Sequence, residues 1–148
     1  MKPFTLTPVL RYRQQLEETA ALRLAKAQRE MQQKREQSEQ LEAQYSRLLS
    51  KLEEDQSAGI TVDNLLRYEN HIDWLKQRKD ELAAQLKAAR ENVRKKRDIA
   101  IGRSRDRQVL EKLKEKQNRA WNLYIEKKEA AQLDEIAVLS HEPKHDDT

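Results

Sequence analysis

A chain of 148 residues could hold one ordinary globular domain, but 38% charged and 36% hydrophobic residues, with one Phe, two Gly and three Pro, exclude a thick apolar core and match long helices and coiled coils. Zero cysteines exclude disulfides, thiolate catalysis and cysteine-based zinc sites and fit a reducing cytosol; no run of about 18 apolar residues exists to span a membrane. The net charge of +4 is uneven, with thirteen Lys or Arg against five Asp or Glu between Lys87 and Arg119, a stretch that could meet nucleic acid, acidic lipid or an acidic protein, or be a solvated face.

The opening Met1-Lys2-Pro3-Phe4-Thr5-Leu6 carries a basic residue but no continuous apolar stretch and no small-residue cleavage site, so no secretory signal is expected. A first helix is predicted over about 8–54, with Thr7 as its cap and Pro8 at its first position. A turn follows over about 55–61, where Gly59 is the turn-type glycine and Thr61 caps the next helix. The second helix is predicted over about 62–139, interrupted only by Gly102, near which the heptad spacing slips. Residues 140–148 form a polar tail, expected to fray.

The two helices carry one pattern in mirror image. Leu24, Ala27, Met31, Lys34, Ser38, Leu41, Tyr45, Leu48 and Leu52 are spaced alternately three and four apart; their partners are Val93, Ala89, Leu86, Leu82, Lys79, Leu75, Ile72, Tyr68 and Leu65, and each pair of residue numbers sums to 116 or 117. Only a chain folded back on itself at Ala58-Gly59 satisfies this rule, because each layer of an antiparallel coiled coil joins one core position from each strand. The predicted fold is all-α: a single long antiparallel two-helix coiled-coil hairpin over 1–139. Ser38 should face Lys79 in a polar layer that fixes register, unless the lysine stems cover the seam and carry their charges to water.

The arms are unequal, about 70 Å against about 115 Å at the helical rise. The mirror sets Leu16 opposite Ile101 or Ala100 and Val9 opposite about Arg107, so the C-terminal helix extends beyond the N-terminal one. Its overhang still carries Leu110, Leu113, Ala120, Trp121, Tyr124, Ala131, Leu133, Ile136 and Leu139. A lone helix gains stability chiefly by burying such a stripe, either against another protein or in a homodimer of these ends.

A two-helix hairpin cannot shield a dry catalytic cavity, so an enzyme is not expected. His141 and His145 sit four apart but in the polar tail; His71 neighbours the seam as a surface residue, and pairs such as Glu39 and Glu42 are commonplace on solvated helices. No metal and no cofactor are expected. Two surfaces stand out for binding: Gln37, Leu41, Gln44 and Leu48 facing His71, Leu75, Arg78 and Leu82 near the turn, unless these merely close the hairpin, and the overhang with the segment Phe4–Arg13. Nucleic acid is not expected as a partner, since no aromatic within the basic stretch could stack on bases; a basic coiled-coil scaffold or nucleic-acid-binding protein remains the alternative.

Four segments, Phe4-Thr-Leu-Thr-Pro-Val-Leu-Arg-Tyr-Arg13, Ser57-Ala-Gly-Ile-Thr61 with Tyr68 and Ile72, Leu110-Glu-Lys-Leu-Lys-Glu-Lys-Gln117, and Glu129 through Leu133-Asp-Glu-Ile-Ala137, resemble in order and spacing the FliJ family of flagellar export proteins. The resemblance implies a stalk-like, non-enzymatic component of the flagellar type III export apparatus. Its paired ends would insert into the hexameric export ATPase and promote assembly and activity. The other half would contact the cytoplasmic domain of the membrane export gate, and export chaperones would also bind. Carried across, the gate patch falls on Gln37, Leu41, Gln44, Leu48, His71 and Leu75, and the ATPase surface on Val9, Arg11, Arg13, Leu113, Arg119, Trp121 and Tyr124. The location implied is cytoplasmic, peripheral at the inner membrane through partners. The equivalent stalk of a virulence injectisome is a rival within the class, with the Ser-Ala-Gly-Ile-Thr turn and Leu-Asp-Glu-Ile-Ala end favouring the flagellar version.

Overall fold

The computed structural model describes residues 5–140. Among them are two elements, α1 (Thr7–Ala58) and α2 (Val62–Ser140), and no strand. The fold is an all-α helical hairpin. The chain divides into two compact units, one of Glu18–Gly102 and one of Met1–Glu17 with Arg103–Thr148. His141, His145, Phe4 and the expected tail beyond Ser140 lie outside the described residues.

In the unit Glu18–Gly102 the mirrored positions close the hairpin. All eighteen are buried or half-buried, with Leu75 the most enclosed at 1% exposure. Leu75 joins Leu41 and Leu82 in a core cluster against which Tyr45 and Leu48 pack. Each such leucine contributes roughly 1.5–3 kcal/mol when fully removed from water. Ala20 and Ala27, also buried, contribute less because they are small. The polar layer resolves in favour of stems covering the seam. Lys79 passes 4.3 Å over the Tyr45 ring and ends 2.7 Å from the Glu42 carboxylate, while Lys34 Nζ donates to Gln85 Oε1 at 2.9 Å. No polar side chain is buried among the described residues, so the half-buried lysine stems cover the seam while their charges end at the surface.

The helix α1 continues to Ala58, past the expected end at Glu54, because Asp55, Gln56 and Ser57 are all compatible with helix and the break comes only at Gly59. That glycine has φ 94°, a left-handed conformation costly for any residue with a Cβ, and its N–H donates back to Gln56 O. Ser57 Oγ returns to Glu53 O at 3.0 Å. Thr61 caps α2 as expected: its Oγ1 accepts from Asn64 N at 3.3 Å, and its carbonyl accepts from Leu65 N at 3.0 Å. The Tyr68 hydroxyl donates to the Asp55 carboxylate across the turn, and this hydrogen bond pushes the phenol above its ordinary pKa.

In the other unit α1 starts one residue earlier than expected, at Thr7, with Leu10 N donating to Leu6 O at 2.9 Å. Pro8 is therefore the second helical residue, still within the first turn, where no intrahelical N–H partner is lost. The seam position here is Leu10, buried at 5%, and not Val9, which is exposed. Counting on from the apolar layers missed this because the closure beyond Leu10 is ionic. Arg13 pairs with Asp106 at 2.8 Å, and Arg107 reaches both Glu17 and Glu111. Those carboxylates, the Glu17 hydrogen bond first, hold the Arg107 guanidinium proton more firmly than usual.

Gly102 lies within α2 with ordinary helical backbone, and a Cβ placed there meets nothing within 4 Å. Gly102→Ala should therefore stabilise the protein by roughly 1 kcal/mol through helix propensity alone. A thermal unfolding midpoint that failed to rise would show that this glycine is required for something other than its backbone.

Candidate interaction surfaces

The residues expected to form the gate patch separate by burial. Leu41 and Leu75 belong to the core, and Leu48 is half-buried against it. With the hairpin closed, Leu41 at 8% and Leu75 at 1% exposure offer a partner almost no surface. Gln37, Gln44 and His71 are exposed. Reading seam leucines as contact residues placed two faces of the helix in one patch; the spacing that made them prominent is the spacing of the seam itself.

What the structure brings together near the turn is a shallow concavity lined by Gln44, Arg47, Leu48, Lys51, His71 and Leu75, continued by a second lined by Asp55, Asn64, Arg67 and Tyr68. Its walls are basic where Arg47, Lys51 and Arg67 stand, so it suits an acidic or amide-bearing contact with an apolar tip over Leu48. Beside it, Trp74 is 58% exposed and tilts against His71, with ring centroids 6.3 Å apart. Val62, Leu66 and Trp74, with Asn70 between them, follow each other four apart on α2, and the three apolar members are exposed. This ridge escaped the sequence reading, although the four-residue spacing from Val62 to Trp74 was visible to a search not confined to the heptad seam.

The residues expected to form the ATPase surface all fall in the unit formed by the two terminal segments. Val9 and Arg11 are exposed on the first turns of α1, while Arg13 is held by Asp106. On α2, Leu113 and Arg119 are exposed and Trp121 stacks on Tyr124, with centroids 5.4 Å apart and planes at 27°. From Leu123 to Leu139 nearly every apolar side chain faces water, including Leu133, Ile136 and Val138. A shallow hollow is lined by Ala131, Asp134, Glu135, Val138 and Leu139. Apolar exposure continued over this much of a helix marks a contact surface. Tyr12, within the expected segment Phe4–Arg13, is also exposed, as is Leu123, which was not singled out by sequence because it lies off the stripe.

Among the described residues no group of His, Asp or Glu is placed to hold a metal ion, and no helix is long and apolar enough to cross a membrane.

An antiparallel helical hairpin with its polar groups at the surface and long exposed apolar runs defines a coiled-coil interaction protein. The family described as Flagellar FliJ protein matches residues 1–144, and the chain belongs to it. This makes it a component of flagellar protein export. The chain is also similar in structure to a YscO homolog from Chlamydia trachomatis, with a TM-score of 0.55 and 17% identity over 95% of this chain and 96% of that one. At that identity the likeness speaks to the fold. No curated protein matches the chain in sequence.

Proposed function

We propose that the protein is the stalk-like regulator of the flagellar export ATPase. Its terminal unit enters the central hole of the hexamer and promotes assembly and ATP hydrolysis. The observation that carries this is the exposed apolar surface of α2 from Leu113 to Leu139, led by the Trp121–Tyr124 stack, for which the described chain supplies no cover. Val9 adds an apolar contact to that surface, and Arg11, Arg13 and Arg119 add basic ones. The unit containing the turn meets the cytoplasmic domain of the export gate through Gln37, Gln44, Leu48 and His71 together with Trp74, and export chaperones use the same family of surfaces. The protein is then cytoplasmic and held at the inner membrane by its partners at the flagellar base.

The test is the rate of ATP hydrolysis by the hexameric export ATPase with and without the full chain, alongside co-purification. Stimulation with a stable complex is expected. An unchanged rate and no complex would overturn the proposal.

A further inference from the structure

The basic stretch of α2 acquires a second half when the hairpin closes. By the same numbering rule that pairs the seam, Arg23 lies level with Arg94, Lys26 with Arg90 and Arg29 with Lys87, so three successive layers carry a cation on each helix. All six are exposed. Of these, only Arg94 makes an ion pair, with Glu91 at 2.5 Å and Asp98 at 3.6 Å; that contact draws the Glu91 carboxyl below its ordinary pKa. Elsewhere in the same unit, Arg78 and Lys79 have acidic partners. A band of like charges repels itself in the closed hairpin, and within this band the acids are few: Glu30 on α1, and Glu91 with Asp98 on α2.

On α2 the cations form a line. Lys87, Arg90, Arg94 and Arg97 are spaced three, four and three apart, all exposed, and the next position on that line is Ile101, an apolar side chain 44% exposed. The line is about 15 Å long. It contains no aromatic residue to stack on a base. The two concavities described above lie by the turn, around Leu48 and His71, away from the strip. A row of four exposed cations along one line of a helix, ending in an exposed isoleucine, fits an anionic lipid surface.

We propose that Lys87, Arg90, Arg94, Arg97 and Ile101 form a direct docking strip for anionic phospholipid headgroups. Arg23, Lys26 and Arg29 strengthen the attracting field from α1. The strip gives the protein a membrane contact of its own, independent of any protein partner. Glu91 and Asp98 compete with the lipid phosphate for Arg94.

The experiment is sedimentation of the full chain with vesicles of phosphatidylglycerol mixed with phosphatidylcholine, against pure phosphatidylcholine vesicles, in low-salt buffer. Binding to the anionic vesicles alone, lost as salt screens the charges, is expected. The triple variant Lys87→Gln, Arg90→Gln, Arg97→Gln should bind on the order of a hundredfold more weakly with unchanged helicity, since none of the three makes an ion pair. Glu91→Gln should tighten binding by freeing Arg94. A control with the same charge change elsewhere, Lys112→Gln, Lys114→Gln, Lys116→Gln, should bind as the parent does. Equal loss in the control would make net charge the cause and overturn the strip. Absence of vesicle binding would overturn it too, as would a preference for duplex DNA or polyglutamate over vesicles that the triple variant abolishes.

Discussion

Replacing Leu75 with alanine lowers the stability of the hairpin by about 2–5 kcal/mol, the range for a leucine removed from a closed core. Leu75 is the most enclosed side chain among the described residues and belongs to the cluster with Leu41 and Leu82. The core consists of one line of layers, so there is no second shell to collapse into the space. With total stabilities of about 5–15 kcal/mol for ordinary domains, a loss of this size removes much of the fold. Urea unfolding followed by circular dichroism measures it, with Gln44→Ala as the surface comparison, expected within about 0.5 kcal/mol of the parent. A Leu75→Ala protein as stable as Gln44→Ala would mean that the seam does not close in the register described. The same experiment guards against misreading function: loss of gate binding in Leu75→Ala would report unfolding, whereas loss in Trp74→Ala with helicity retained would report contact.

The double substitution Trp121→Ala, Tyr124→Ala should have the opposite profile, with helix content unchanged and stimulation of the ATPase largely lost. The two rings stack on each other and Tyr124 is 54% exposed, so removing them opens no core. Alanine is the strongest helix former, and α2 should keep its backbone. If the pair anchors the partner, truncation costs at least about 2 kcal/mol, roughly a thirtyfold loss of affinity. Titrating the chain into the ATPase and fitting the stimulation curve reads this directly. A midpoint and plateau equal to the parent's would show that this stack is idle and that the overhang binds elsewhere, with Leu133, Ile136 and Leu139 the next residues to test.

The hairpin was legible in the sequence because its core obeys one arithmetic rule. From Leu24 paired with Val93 to Leu52 paired with Leu65, every mirrored position is buried or half-buried. The rule failed where closure stopped being apolar. Around Arg13, Glu17, Asp106 and Arg107 the helices meet through charges, and a count of hydrophobic residues has nothing to register, so the enclosed Leu10 was not picked out as a seam residue. The end of α1 was misplaced for a different reason, since the seam's last regular layer at Leu52 and the chemical stop at Gly59 are separate signals.

The surfaces were less legible than the fold. Periodicity ranks residues by their fit to the seam, which drew Leu41 and Leu75 into a contact patch although the same fit buries them. It passed over Val62, Leu66 and Trp74, whose four-residue spacing drifts around the helix away from the heptad line. The basic layers Arg23–Arg94, Lys26–Arg90 and Arg29–Lys87 were divided between two distant stretches of sequence and became a single band only through the fold.

The ionic closure of the terminal unit bears on how that part of the molecule opens. Arg13, Glu17, Asp106, Arg107 and Glu111 hold it, and Leu10 is its one enclosed apolar side chain among the described residues. Peeling back the first turns of α1 therefore uncovers little greasy area, and the attraction that resists it fades as the surrounding electrolyte thickens. Amide protons of those turns should trade with solvent through a local detachment, long before the leucine layers of the other unit let go. Such a hinged flap could be lifted by an incoming protein at small energetic expense, leaving the remainder of the hairpin latched.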